Sequence, residues 1–296
     1  MRNTLFFKIL RFSSLPFLFR ELIQRRRVTI LLFHDISPET AAQTFDYLAS
    51  KYHLIDLQTF LRACKTRDRA LPSKSLIVTF DDGCIRNHEL LPLIKERKLP
   101  VTIFLCAGLV DTKRHFWFKH KAQVPRSFPL LKVSNRQRLR LLQEAGFTRQ
   151  TEYDQPHALT GRQVEEMKPW VDFQSHTLFH PCLPRCGRAE AREEIADSRD
   201  ILRRRFGLEV NAIAYPHGNY SDRDIELCRQ AGYDCALTVD PGFNTMRTDL
   251  FRLKRFPVND TNDLSELIVK ASGLWEFLRR LLGHKPDYGW TDDVEP

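Results

Sequence analysis

The sequence has no hydrophobic run long enough to cross a membrane. A transmembrane helix needs about 20 predominantly apolar residues, and charged side chains interrupt every apolar stretch before that length. A cleavable signal peptide needs an unbroken apolar region followed by small residues. Here Lys8, Arg11 and Arg20 interrupt the N-terminal stretch, and no Ala-x-Ala site follows it. These absences predict a cytoplasmic protein without a cleaved signal peptide.

Internal repeats, low-complexity segments and paired cysteines are also absent. The lack of a repeating period excludes solenoid and propeller architectures. The seven cysteines are odd in number and lack the spacing of a disulfide framework. Cys182 and Cys186 have no second pair with which to complete a four-thiolate zinc site. Free thiols in this number are typical of a reducing compartment, which agrees with the predicted location.

Acidic side chains are scarce in two segments of the chain. Of the net charge of +9, residues 1–27 carry +6 and residues 112–150 carry +9, so the remainder is acidic. This separation favours an anionic surface over a nucleic-acid groove, and we expect no nucleic-acid partner. Residues 1–27 also mix phenylalanine and leucine with arginine, which predicts a basic amphipathic helix on the inner face of the membrane. The alternative is a helix packed against the outside of the folded domain.

Strand-like and helix-like segments alternate along the rest of the chain. This alternation predicts a parallel, closed sheet surrounded by helices. Residues 108–157 are basic and weakly patterned, which indicates an insertion, and residues 284–296 are predicted to form a flexible tail. The predicted strands are residues 29–33, 76–80, 101–105, 172–174, 212–215, 235–238 and 253–258. The predicted helices lie near residues 40–52, 57–64, 88–96, 134–145, 161–167, 189–206, 221–231 and 264–282.

Two short motifs carry groups suited to metal chemistry. Asp81 and Asp82 end one apolar run, and His176 and His180, four residues apart, follow another predicted strand. One carboxylate and two imidazoles form a three-ligand zinc site with an open position, which leaves the second carboxylate free to act on water. Either motif alone is typical of an ordinary turn or a surface pair. Their combination at strand ends favours a catalytic site.

Two further polar clusters also follow predicted strands. His34 comes after the first strand, and the segment from Tyr215 to Gly218 comes after the fifth. Reactive groups of α/β barrels gather at the C-terminal ends of the strands. We therefore expect all four clusters to lie on the same face of the sheet.

These motifs resemble those of the polysaccharide deacetylases, the NodB-homology carbohydrate esterases. Residues 79–83 (TFDDG) are similar to the first family motif, residues 176–181 (HTLFHP) to the second and residues 213–220 (IAYPHGNY) to the third. The resemblance extends over residues 28–273. It implies an α/β fold in the form of a distorted (β/α)7 barrel, as a single domain over residues 28–283. It also implies a divalent metal and the removal of acyl groups from amino sugars.

The resemblance further implies roles for individual residues. Asp82, His176 and His180 are the expected metal ligands, with Asp81 as the general base that activates water. The set suits Zn2+, although cobalt, nickel and iron(II) accept the same ligands. The backbone N–H of His217 is the expected donor to the oxyanion of the tetrahedral intermediate.

The sequence departs from the common family pattern at two positions. Many members carry the general acid, a histidine, in a C-terminal Leu-x-His motif, but the corresponding residues 250–253 contain none. A circularly permuted branch has this histidine on the first strand, so His34 is the predicted acid. Many members also have an arginine that pairs with the base, where this chain has Ala214. Arg252, at a neighbouring strand end, is the candidate to supply that charge to Asp81, and the alternative is an ordinary surface arginine.

The sequence therefore predicts a metal-dependent hydrolase that removes N-acetyl groups from amino sugars of a glycan or glycan precursor. One alternative is a deformylase or deacetylase of a lipid-linked sugar at the membrane, and another is a non-catalytic glycan-binding barrel. The intact pair of carboxylates beside two histidines argues against the latter, because a binding module needs no free base. The predicted substrate-binding residues are Tyr215, Tyr220, Trp117 and Arg252.

Overall fold

The computed structural model describes residues 2–66, 71–124, 129–260 and 263–283. The predicted flexible tail, residues 284–296, lies outside the described residues. Within the described part of the chain, eight strands form one parallel sheet in the order β7-β6-β5-β4-β3-β1-β8, and β2 pairs with β3. The strands are β1 Thr29–Phe33, β2 His53–Leu54, β3 Ser75–Phe80, β4 Val101–Leu105, β5 Val171–Ser175, β6 Ala212–Ala214, β7 Cys235–Leu237 and β8 Phe256–Pro257.

The sheet curves into a distorted barrel, which confirms the predicted fold class. A parallel bridge between Leu237 and Leu253 joins β7 to the chain that leads into β8. Each of the seven predicted strand segments contains a strand, and the two-residue β2 is additional. The short strands and the one-residue bridge make the barrel irregular.

The strands are almost fully buried because they are covered on both sides, as expected for parallel strands. Alternate side chains point to opposite faces, so each strand contributes to two hydrophobic clusters. Ile30, Ile77 and Phe104 lie in an inner cluster that also contains Phe60. Leu31, Val78 and Ile103 pack outward against the surrounding helices.

Helices surround the sheet at nearly all the predicted positions. The predicted helix over residues 264–282 is instead two helices, because Gly273 adopts φ +77° between them. A Cβ atom at this glycine would lie 2.5 Å from the ring of Phe243. The helices are α1 Arg2–Phe12, α2 Leu15–Leu18, α3 Pro38–Lys51, α4 Leu57–Thr66, α5 Leu91–Arg97, α6 Asn135–Glu144, α7 Gly161–Met167, α8 Arg188–Phe206, α9 Asp222–Gln230, α10 Leu264–Ala271 and α11 Leu274–Leu281.

The N-terminal segment packs on the outside of the barrel with only one of its faces. Phe7 and Leu10 of α1 are buried against Val269 and Leu274. After α2, a π-helical turn, Phe19–Ile23, and a 3-10 turn, Gln24–Arg26, lead into β1. None of the helices in the described ranges combines the length and apolar composition of a membrane span.

The register of the central strands places the predicted site residues at one edge of the sheet. Phe33 pairs with Phe80, so His34 and Asp81 follow at the same level. Leu105 pairs with Ser175, so His176 follows at the end of β5. The carboxyl ends of β1, β3 and β5 therefore bring three predicted site residues together.

Candidate active site

A sharp change of backbone direction places Asp81 and Asp82 in one cavity. The chain leaves β3 with φ +73° at Asp82 and φ +67° at Gly83, and aspartate and glycine tolerate this left-handed region best. A Cβ atom at Gly83 would lie 2.5 Å from the Cδ2 atom of Leu105. The reversal explains how two adjacent carboxylates line the same cavity of about 670 Å³.

Asp81 is held by a buried arginine. Arg255 donates from Nη1 to Oδ1 at 2.7 Å and from Nη2 to Oδ2 at 2.8 Å, and its Nε donates to the carbonyl of Thr238. Burial opposes ionisation of Asp81, but the guanidinium outweighs it, so the pKa of this carboxyl lies below its usual value. The pair fixes both the charge and the orientation of Asp81.

The prediction that Arg252 supplies this charge is wrong. Arg252 is exposed and donates to Asp222, whereas the contact with Asp81 is made by Arg255. Strand periodicity is the sequence signal that would have identified Arg255 as the partner of Asp81. Leu253 belongs to the inner hydrophobic cluster, so Arg255, two residues later in extended chain, also points inward.

Each of the two histidines places its Nε2 atom close to the same carboxylate oxygen of Asp82. His176 donates from Nδ1 to the carbonyl of Ala214 at 2.8 Å. Because a carbonyl can only accept, the neutral ring leaves Nε2 unprotonated. That Nε2 lies 3.6 Å from Oδ1 of Asp82, and Nε2 of His180 lies 3.3 Å from the same oxygen. Burial lowers the pKa of His176 to about 4, so this imidazole is neutral at physiological pH.

These residues fit a divalent metal. Oδ1 of Asp82 is buried and has no hydrogen-bond donor among the described residues, although His180 is close. Ligand atoms of Asp82, His176 and His180 all lie within 4.8 Å of one another. A buried carboxylate oxygen facing an imidazole lone pair is repulsive unless a cation lies between them. Two imidazoles and one carboxylate are also a donor set that leaves an open coordination position.

Comparison with known proteins agrees with this geometry. The family model for polysaccharide deacetylases matches residues 68–236, more than half of the chain. The chain belongs to this family. The Bacillus subtilis protein YxkH, named provisionally as a polysaccharide deacetylase, is 22% identical over 243 residues, which cover 79% of this chain and 72% of the relative.

Solved structures of deacetylases share the fold. The Streptococcus pyogenes deacetylase PplD, solved with acetate, superimposes with a TM-score of 0.60 at 20% identity over 84% of this chain and 97% of that one. IcaB from Ammonifex degensii gives a TM-score of 0.59 at 22% identity, over 84% and 98% of the two chains. Family and fold together support a deacetylase that acts on a glycan.

The remaining predicted catalytic residues, His34 and His217, line the same cavity as Asp81 and Asp82. His34 is exposed at the end of β1 and lines the cavity with Asp81 and Asp82. His217 lines it from a 3-10 turn, Pro216–Gly218, in which its own φ is +58°. At Gly218 a Cβ atom would lie 2.1 Å from Val239, so this turn requires glycine. The matched family segment includes neither His34 nor Arg255.

Three aromatic residues predicted to bind the sugar are not among the side chains that line this cavity. Trp117 is only 4% exposed and donates its Nε1 to the carbonyl of His180. Tyr215 is fully buried and donates to the carbonyl of Phe251, and Tyr220 stacks on it while donating to Asp240. These rings stabilise the loops that form the site.

The partly exposed aromatic ring at the cavity belongs instead to Phe118, next to Trp117. Its centroid lies 4.9 Å from that of His180, and Lys119 and Lys121 continue the same wall. All three residues belong to the predicted insertion between β4 and β5. Composition alone could not decide which of two adjacent aromatic residues points inward.

A buried glutamate, which sequence analysis missed, supports the turn between His176 and His180. Oε2 of Glu194 accepts from the backbone N–H groups of Leu178 at 3.0 Å and Phe179 at 2.9 Å, and Arg149 donates to Oε1 at 3.2 Å. Burial raises the pKa of Glu194 to about 7 although each of these donors favours the charged form. Glu194 follows Ala191 by three residues on the buried face of α8. This helical spacing is the sequence signal that would have predicted a buried Glu194.

We expect Glu194→Leu to weaken metal binding about 10- to 100-fold, the usual cost of losing a group that orients metal ligands. Leucine leaves the N–H groups of Leu178 and Phe179 without an acceptor, so the turn that carries His176 and His180 loosens. Glu194→Gln keeps one carbonyl oxygen for both N–H groups and should bind zinc nearly normally. Competition with a chromophoric chelator measures both affinities, and equal weakening in the two variants would contradict this role.

Proposed function

We propose that this protein is a metal-dependent N-deacetylase that removes N-acetyl groups from amino sugars of a glycan or glycan precursor. The observation that carries the proposal is the placement of Asp81, held ionised by Arg255, beside the ligand set of Asp82, His176 and His180. A glycan-binding barrel would gain nothing from a buried ionised carboxylate beside a cation site. This argument favours an enzyme over a non-catalytic module.

The described residues supply the other parts of an acyl-transfer site. A divalent cation held by Asp82, His176 and His180 would supply Lewis acidity toward water and the acyl carbonyl. Asp81 would accept the proton of the attacking water, and its pairing with Arg255 keeps it oriented for that role. The peptide N–H of His217, at the wall of the cavity, is our proposed donor to the oxyanion.

His34 is our proposed general acid. An amine leaves poorly unless it is protonated during cleavage. His34 lines the same cavity as Asp81 and is exposed, so it can take up a proton from solvent. Its position after β1 agrees with the permuted arrangement predicted from the sequence, which stays a prediction.

The cavity and the rest of the chain also bear on the substrate and its location. The cavity lining combines Lys119, Lys121 and Arg279 with Asp35, Asp260 and Glu276, and Arg279 is paired with Glu276, so the lining charge favours neither an anionic nor a neutral glycan. All seven cysteines are unpaired, which favours a reducing compartment. The alternative of a lipid-linked sugar is supported by exposed apolar side chains on α1.

The proposal is tested by acetate release from N-acetylglucosamine oligosaccharides and from an aryl acetate ester. We expect the zinc-loaded wild-type enzyme to hydrolyse both, and His34→Gln to lose about 10²–10⁴-fold in rate on the amide only. The ester has a good leaving group that needs no protonation. Zinc content should be unchanged in the variant. Equal losses on amide and ester would show that His34 is not the acid, and no acetate release by the wild type from any N-acetylated glycan would refute the proposed activity.

A further inference from the structure

The first and last helices of the described residues build one surface, which we call the terminal platform. It consists of α1, α2, the π-helical turn Phe19–Ile23, the following 3-10 turn Gln24–Arg26, α11 and the adjoining Leu282. The ring of Phe6 contacts that of Trp275, with centroids 6.0 Å apart, and the ring of Phe19 contacts that of Phe277 at 5.1 Å. These contacts connect the N-terminal helices directly to α11.

The terminal platform holds nearly all the exposed large hydrophobic side chains of the described residues. Of thirteen such side chains, only Trp170 and Met246 lie elsewhere. Phe12 is 76% exposed and Leu281 is 71% exposed. Apolar surface concentrated in this way marks an interaction site. The eleven side chains are Leu5, Phe6, Ile9, Phe12, Leu15, Phe17, Leu18, Leu22, Phe277, Leu281 and Leu282.

Basic side chains are interspersed among these apolar groups. Arg11 and Arg20 lie over the rings of Phe12 and Phe17, at 5.2 and 5.3 Å. Glu21, an acidic residue of the platform, is bound by Arg20 and Lys74. Exposed apolar groups with arginine and lysine around them are complementary to an anionic lipid surface. The other basic residues of the platform whose side chains are described are Lys8, Arg25, Arg26, Arg279 and Arg280.

The charge of the terminal platform also argues against a second copy of this chain as its binding partner. Two platforms facing each other would bring their basic side chains together, and like charges across an interface disfavour association. Among the described residues, Lys8, Arg26 and Arg280 have no ion-pair partner that would neutralise them. An anionic bilayer would supply the missing negative charge.

Helix α11 connects the terminal platform to the catalytic cavity. Glu276 and Arg279 line the cavity, whereas Phe277 and Leu281 of the same helix are exposed. The cavity wall and the apolar surface therefore lie on two sides of one helix, which is about 10–12 Å wide. A sugar attached to a lipid could reach the cavity without leaving the membrane surface.

We propose that the terminal platform docks on an anionic lipid bilayer and presents the cavity to a lipid-anchored glycan. The choice of substrate rests on the deacetylase activity proposed above. The docking itself does not, because no residue of the metal site takes part in it.

Co-sedimentation with vesicles of phosphatidylcholine, with and without phosphatidylglycerol, tests the docking. We expect the zinc-loaded full chain to bind only the anionic vesicles. Phe12→Ser combined with Leu281→Ser should reduce the partition coefficient at least tenfold, as should Lys8→Glu combined with Arg26→Glu. The matched controls are Met246→Ser, an exposed hydrophobic residue outside the platform, and Arg192→Glu, an exposed arginine on α8, and both should bind like the wild type. Thermal unfolding should be the same in all variants.

Activity separates this inference from the proposed function. The platform variants should keep the wild-type rate on soluble N-acetylglucosamine oligosaccharides and lose at least tenfold on a lipid-anchored N-acetylglucosamine in anionic vesicles. Vesicle binding without deacetylation of any glycan would leave docking intact and refute the activity. Deacetylation with equal sedimentation of wild type and platform variants would refute docking. Dimers that form without lipid and are lost in the platform variants would identify a second copy as the occupant and overturn the proposal.

Discussion

His176→Ala should abolish tight binding of divalent metal and nearly all acetate release while leaving the fold intact. His176 provides an unprotonated Nε2 at 3.6 Å from Asp82, because its other nitrogen donates to Ala214. Alanine leaves only two protein ligands, too few for a three-ligand catalytic site. The carbonyl of Ala214 loses its donor, which costs about 1–3 kcal/mol of stability, a modest part of the total.

Elemental analysis after dialysis and circular dichroism measure the two effects. The control is His53→Ala, because the exposed His53 side chain bonds, within the described residues, only to the carbonyl of Ser73. The control should retain one equivalent of zinc and full activity. If His176→Ala also retained one equivalent of zinc, the ligand set proposed here would be incorrect.

Asp81→Asn should retain the metal but lose about 10²–10⁴-fold in rate, the typical contribution of general acid–base catalysis. The amide cannot accept the proton of the attacking water. The same change leaves Arg255 buried without a counter-charge, and breaking a buried pair in this way costs about 3–5 kcal/mol of stability. Asp82→Asn should instead lose the metal, since Asp82 is the proposed ligand. Retention of zinc by Asp82→Asn and its loss by Asp81→Asn would reverse the two roles.

The pH dependence of stability provides an independent check on Asp81. Its pKa is lowered in the folded state, so its ionised form stabilises the fold above the unfolded-state pKa of about 3.9. That contribution is lost as the pH falls through the folded-state pKa. The difference in stability between wild type and Asp81→Asn should therefore be full near neutrality and shrink below about pH 4. Adding Arg255→Met to Asp81→Asn should restore stability without restoring activity, which separates the two effects.

Much of the site was predictable because its groups occur in short, contiguous motifs. Asp81 and Asp82 follow an apolar strand, and His176 and His180 follow another, so local pattern was enough to place them at strand ends. Parallel pairing then requires these ends to share one edge of the sheet. The structure confirms this placement, since both pairs and His34 line one cavity.

The partners of these groups were harder to predict, because they come from distant parts of the chain. Arg255 lies 174 residues from Asp81 in the sequence, and Glu194 supports the histidine turn from a helix most of whose other charged residues face solvent. Which of Arg252 and Arg255 reaches Asp81, and which of Trp117 and Phe118 lines the cavity, depends on side-chain direction at a strand end or in a loop. That direction is set by packing against neighbouring elements.

The sequence by itself determined the fold class, the strand positions and the candidate residues for the metal site, because hydrophobic period and short motifs act over a few residues. Only the tertiary structure decided that Arg255 holds Asp81, that Glu194 braces the histidine turn and that α11 joins the catalytic cavity to the terminal platform. Each of these depends on contacts between segments far apart in the chain. Such contacts form only when burial of the apolar strands and helices brings those segments together.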